Sequence, residues 1–186
     1  MAGERDGRLK PLGPRPNLAA MKVSDATILA LPGTAPLDDA HWIGRWTRRL
    51  STALPVPAGT NGDDPLPGLI DGAPGPVVVL AYREGIERLV SHADAHPVRA
   101  AFMVGPRGGT AMEERVDPLP FPSILVASRD DPRCPFDRAE MMGARWGSLF
   151  VDAGEAGELG TASGRGPWPE GLLTFARFLS NLPVEA

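Results

Sequence analysis

The chain has one cysteine, Cys134, in 186 residues. That excludes an internal disulfide and a cysteine-built zinc centre. No stretch approaches the roughly 18 consecutive apolar residues of a membrane span. The opening residues, MAGERDGRLKPLGPRPNLAA, contain no apolar run of secretory-signal length. Positive charge is not in excess: 19 Lys and Arg stand against 23 Asp and Glu, a net charge of −4. This argues against a general nucleic-acid-binding face and against a polybasic membrane anchor. No internal repeat is present. These absences lead to the expectation of a soluble, cytoplasmic protein with no nucleic-acid partner and no membrane insertion.

What remains is ordinary globular material, 42% hydrophobic and 23% charged. The length suits one domain with a real core. Residues 1–22 are rich in Pro, Gly and Arg and have little to bury. They read as a flexible N-terminal arm, with residues 23–186 as a single domain.

Short apolar runs bounded by Gly and Pro read as buried strands at Thr27–Leu31, Val77–Ala81, Ala100–Val104 and Ile124–Ser128. Leu149–Val151 is a shorter fifth. Amphipathic helices are expected over His41–Leu54, Gly85–His96, Arg138–Trp146 and Pro169–Leu182. Asp137 and Glu140 suggest a capping-box-like start for the third of these. Strands alternating with helices imply an α/β fold, a mostly parallel sheet with helices on both faces. The functional crevice of such a sheet lies beyond the carboxyl ends of its strands. The segment Pro55–Pro76, full of Pro, Gly and Asp, reads as a long loop without a helix.

The stretch VVVLAYREGIERLV, residues 77–90, carries the sharpest signal. A strand runs into a helix through Ala81-Tyr82-Arg83-Glu84-Gly85. This is the form of a nucleophile elbow, with small residues at both ends. Arg83 stands where the nucleophile belongs.

Several segments together resemble the small single-domain serine hydrolases related to retinoblastoma-binding protein 9. LPGTAPLDDAHW resembles their first strand and the loop ending in His-Trp. PVVVLAYREG resembles the elbow, where the family usually has Ala-His-Ser-Leu-Gly. PFPSILVASRDDPRCPFDRAE resembles the segment bearing the catalytic Asp, which falls on Asp131. GEAGELGTASGRGPWPEGL resembles the final loop, where Gly-His-Ile-Asn carries the catalytic His. The resemblance implies a three-layer α/β-hydrolase-like fold and a degenerate triad. The Ser position is Arg83, the His position is Glu158, and the acid Asp131 survives. It also implies a chain shortened before the elbow, where a helix of the family has no room.

Those replacements remove the chemistry of the triad. An oxygen nucleophile, a proton-shuttling imidazole and an orienting carboxylate are all required. Arginine offers donors only and stays protonated, so Arg83 is neither nucleophile nor base. Glu158 has no hydroxyl beside it to activate. The two replacements carry opposite charge at positions that touch in the family. An ion-pair plug of Arg83 with Glu158 and Asp131 would satisfy an otherwise stranded Asp131. A solvent-facing Arg83 and a repurposed pocket are the alternatives. No catalytic residue is expected on this reading.

The family's oxyanion donors fall on the loop of Gly33 and Thr34 and on the amide of Glu84, with His41 at the same rim. A small anion or ligand there is conceivable, although Glu84, Glu87 and Glu158 weigh against an anion. His92 and His96 stand four apart, but Ala93 occupies the Glu position of a zinc-protease helix, so no metal is expected. Tyr82 reads as packing and Cys134 as an inert thiol. VGPRGGT lacks the Lys-Ser/Thr ending of a phosphate loop. No cofactor is implied. The functional expectation is a catalytically inactive α/β-hydrolase-fold protein that binds a protein partner or forms a homo-oligomer. The alternative is a weak or altered esterase with a relocated nucleophile.

Overall fold

A computed structural model describes residues 21–35, 37–57 and 63–182. Most of the expected arm lies outside these residues, but Met21 of its last pair packs into the core at 4% exposure. Six strands form one parallel sheet in the order β2-β1-β3-β4-β5-β6. They are β1 Thr27–Leu31, β2 Ala53–Pro55, β3 Val77–Tyr82, β4 Val98–Val104, β5 Ser123–Ala127 and β6 Leu149–Asp152. The α-helices are α1 Trp42–Arg49, α2 Leu66–Asp71, α3 Glu84–His92, α4 Phe136–Trp146 and α5 Pro169–Ser180.

The central strands are apolar at nearly every position because both faces are covered. One face of the sheet, with Ile28, Ala30, Val78, Leu80 and Phe102, meets Trp42 and Trp46 of α1 and Phe175 and Leu179 of α5. The other, with Leu29, Leu31, Val79, Ala81 and Met103, meets α2, α3 and α4 through Leu66, Ile70, Ile86, Leu89, Met142 and Trp146. Alternation of period two along each strand therefore sorts the core into two layers.

Three expectations are corrected. The first helix stops at Arg49, not Leu54. The chain turns there and Ala53–Pro55 adds a parallel edge strand beside β1. Proline is tolerated at that edge because no further strand needs its missing N–H. The second correction falls in the supposed loop Pro55–Pro76, which contains α2. Pro65 leads into this helix, and Leu66 and Ile70, four apart, bury its inner face. So the family's helix before the elbow is short but present, and the sheet is not left bare there. Residues 58–62 of that segment lie outside the described ones. Third, α4 begins at Phe136 after Pro135, with no side-chain cap. Asp137 instead accepts a hydrogen bond from the Arg138 amide.

Candidate functional site

The parallel sheet brings the loops after β1, β3, β4, β5 and β6 to one rim. At its centre Arg83 joins β3 to α3 with φ 53° and ψ −118°, a left-handed backbone that a non-glycine residue holds only under constraint. The constraint is packing. A Cβ on Gly85 would run into the Leu31 carbonyl oxygen, so α3 meets β1 with no room for a side chain there. Ala81, at the other end of the turn, is fully buried. Gly33 approaches from the β1 loop, where a Cβ would come 2.8 Å from the Tyr82 carbonyl oxygen. The elbow is thus retained as a structural joint whatever side chain it presents.

That side chain is folded inward. The Arg83 side chain is 3% exposed and the Asp131 side chain 2%, with Nη1 donating to Asp131 Oδ2 at 2.6 Å. Nη1 also faces the carbonyls of Gly105 at 3.3 Å and Pro106 at 3.4 Å. Nη2 donates to the Glu158 carbonyl at 2.7 Å. Burial pulls the Arg83 pKa down, but the hydrogen bond and charge of Asp131 more than offset it, so the group lies above its ordinary value. The other oxygen of Asp131 accepts from the Arg133 amide at 2.9 Å. Arg83 Nε has no partner among the described residues.

The expected plug therefore forms chiefly with Asp131. The Glu158 carboxylate stands 3.8 Å from Nη2 and its side chain is 48% exposed. Its main-chain carbonyl does the inward bonding, accepting from Arg83 and, at 2.9 Å, from the Tyr82 hydroxyl. Tyr82 is thereby more than packing: it ties the elbow to the loop after β6. Burial raises the Tyr82 pKa, so its hydroxyl stays protonated and donating.

Gly105 is the residue the sequence did not single out. It ends β4 at φ +63°, and a Cβ there would lie 3.1 Å from Arg83 Cζ. The guanidinium rests on that bare backbone. The signal was available, since the first glycine of VGPRGG directly follows a strand on the functional rim.

The remaining candidates take ordinary structural places. His41 caps α1, its Nδ1 accepting from the Ile43 amide at 3.3 Å. Burial lowers its pKa to about 4, so the ring is neutral. With Nδ1 accepting, the ring proton sits on Nε2, which has no partner among the described residues. Thr34 and His41 line a cleft of about 180 Å³ above Arg83 and Glu158. Glu84 turns one carboxylate oxygen toward Gly33 and pairs the other with Arg107 at 3.2 Å. This negative group beside the supposed oxyanion donors disfavours an anion. His92 Nε2 lies 3.3 Å from Asp64, and His96 Nδ1 lies 2.9 Å from Asp71. Each imidazole faces a different carboxylate, and no metal-holding group of three ligands occurs among the described residues. Cys134 is buried, which pushes its thiol up to about 11.

A six-stranded parallel sheet, helices on both faces and a strained strand-to-helix elbow define an α/β-hydrolase fold. The serine hydrolase family model matches residues 28–177, and the chain belongs to that family. It is similar to a protein from Pectobacterium atrosepticum described as a YdeN-like hydrolase, at 26% identity and a TM-score of 0.75, covering 87% of this chain and 95% of that one. The ydeN gene product of B. subtilis matches at 13% identity and a TM-score of 0.64, over 84% of this chain and 98% of the other. An esterase domain from Rhodothermus marinus matches at 16% identity and a TM-score of 0.63, over 84% and 87%. The last two likenesses bear on the fold alone. No curated protein sequence matches the chain. No described helix is long and apolar enough to cross a membrane.

Proposed function

We propose that this serine-hydrolase-family chain performs no serine-hydrolase chemistry and serves as a binding or structural subunit. The buried Arg83–Asp131 ion pair, 2.6 Å across at the tip of the elbow, carries the proposal. A guanidinium occupies the place of a hydroxyl, and the acid that would orient an imidazole is bonded to it instead. The proton acceptor is missing too. Glu158 holds its half-exposed carboxylate 3.8 Å from the Arg83 guanidinium, and position 83 offers it no nucleophilic hydroxyl to activate. The rival reading needs a relocated nucleophile. Cys134 is a poor one, because a buried thiol with a pKa of about 11 holds almost no thiolate near neutrality.

Treatment with a fluorophosphonate probe, followed by intact-mass measurement, tests the chemistry. No adduct is expected, and no hydrolysis of p-nitrophenyl acetate above buffer. Stoichiometric labelling at a single serine would overturn the proposal. For the binding role, no strand among the described residues pairs with the outer side of β2 or β6, and each carries an exposed leucine, Leu54 at 48% and Leu149 at 62%. Such edges favour association. Sedimentation velocity should show self-association or a stable hetero-complex from the native source. A lone monomer in both preparations removes that half of the proposal.

A further inference from the structure

A second cleft lies away from the elbow, in the slot between α5 and the β6 side of the sheet. Its volume is about 250 Å³, larger than the cleft above Arg83. The apolar lining includes Phe102, Val126 and Trp168, and the polar lining includes Arg165, Glu170 and Asp152. Phe102 and Val126 are almost fully buried sheet residues. Trp168 is locked, its ring stacked at 17° on Trp46 with centroids 5.8 Å apart. The floor is therefore rigid before any ligand arrives, which lowers the ordering cost of binding.

The charges on the lining are unusual in how they are partnered. Asp152 is engaged by Arg129, which donates twice to one carboxylate oxygen at 2.8 and 2.6 Å. Arg165 and Glu170 form no ion pair with each other or with another described residue, and Arg165 Nε is buried with no acceptor. A buried donor without an acceptor is costly and calls for one. So one cleft presents a half-buried cation with one unsatisfied donor, an exposed carboxylate with no ion-pair partner among the described residues, and an apolar floor. A monoanion would satisfy Arg165 but meet the uncompensated Glu170. A monocation would meet the reverse problem. A zwitterion satisfies both.

We propose that this cleft binds a small α-amino acid with an apolar side chain. Its carboxylate is held by Arg165, its ammonium faces Glu170, and its side chain lies on Val151, Ala153 and Trp168. The volume exceeds that of several water molecules, each about 30 Å³ in the liquid, and suits a ligand the size of leucine or phenylalanine. The site is independent of the elbow, so it stands or falls separately from the loss of hydrolase chemistry.

The test is calorimetric titration of the full chain with L-leucine and L-phenylalanine up to about 10 mM, with saturation-transfer NMR as a second readout. L-leucinamide lacks the carboxylate and N-acetyl-L-leucine lacks the ammonium. Saturable binding of at least one free amino acid is expected. Each analogue should bind at least about tenfold more weakly, and so should Arg165→Ala and Glu170→Gln with the free amino acid. Both variants alter side chains at the cleft mouth, and unchanged unfolding midpoints verify their fold. Arg83→Ser should bind like the parent, which separates this site from the plug. The inference is overturned if neither amino acid binds, if the analogues bind as tightly as the free amino acid, or if neither variant weakens binding.

Discussion

Replacing Arg83 by alanine removes a guanidinium whose neighbours have no other donor of its kind. Asp131 would keep the Arg133 amide on one oxygen and lose the 2.6 Å bond on the other. The carbonyls of Gly105, Pro106 and Glu158 would each lose an Arg83 contact. With both side chains 3% exposed or less, the Asp131 carboxylate is left with little hydration to replace what it loses. Breaking one partner out of a buried pair costs about 3–5 kcal/mol. For a chain of this size each kcal/mol lowers the melting temperature by about 2–4 °C, so the fall should be roughly 6–20 °C. Arg83→Gly should be milder by about 1 kcal/mol, because glycine tolerates φ 53° and alanine does not. Replacing the pair together, Arg83→Met with Asp131→Leu, should recover most of the loss, since apolar substitutes for a buried pair are often neutral. Equilibrium urea unfolding of these three variants, and of Asp131→Ala and the double alanine variant, measures these differences. If Arg83→Ala stays within about 1 kcal/mol of the parent and is additive with Asp131→Ala, the pair is not a buried plug and the argument fails.

Three further outcomes follow from the same geometry. Gly105→Ala puts a Cβ against the guanidinium at a positive φ and should cost about 2 kcal/mol, less in the Arg83→Ala background, as urea midpoints of the double mutant would show. His41 has a folded pKa of about 4 against an ordinary 6.5, so the unfolded chain takes up the proton first as pH falls. Stability should therefore drop between pH 6.5 and 4 by about 3 kcal/mol or less, and His41→Asn, which keeps a capping acceptor, should flatten that slope. Asp64 is held at about 2 against 3.8, chiefly by its hydrogen bond from Arg88, so its stabilisation is present above pH 3.8 and is lost as pH falls toward 2. Asp64→Asn should remove this lower slope in acid titrations followed by circular dichroism and leave the higher one untouched.

The order of the central strands and helices was legible because β1, β3, β4 and β5 are each built on an apolar run of four to six residues: Ile28–Leu31, Val77–Tyr82, Ala100–Val104 and Ile124–Ala127. Such runs admit little besides a doubly covered parallel sheet. What escaped was short or marginal. β2 has three residues, with only Ala53 even half-buried, and gains its identity from pairing with β1. Tertiary pairing of that kind leaves no local period. α2 has six residues, and two apolar positions four apart are too few to stand out from the proline and glycine around them. The helix ends moved for a related reason. His96 lies beyond α3, after a turn of Ala93, Asp94 and Ala95, although its spacing from His92 matches a continuing helix.

At the site, residue types were legible and directions were not. Arginine at the elbow and a carboxylate at Asp131 have complementary charge, and their union at 2.6 Å is what that complementarity favours away from water. The same logic extended to Glu158 reaches the right residue, but its carboxylate pairs only loosely at 3.8 Å and its carbonyl makes the shorter bond at 2.7 Å. Glu158 precedes Leu159, whose φ of 57° turns the backbone sharply while its side chain is fully buried. That turn presents the Glu158 carbonyl to the interior, where Tyr82 and Arg83 both donate to it. The carboxylate is then free to stay at the surface, where it keeps its hydration. A carbonyl accepts the guanidinium without bringing a second full charge into the buried site, so the cluster remains a neutral pair of Arg83 and Asp131. The Leu159 carbonyl, held by the Trp42 indole at 3.0 Å, fixes the loop in this setting. Side-chain identity at position 158 is therefore weakly constrained by the plug, whereas the backbone path through 158 and 159 is strongly constrained.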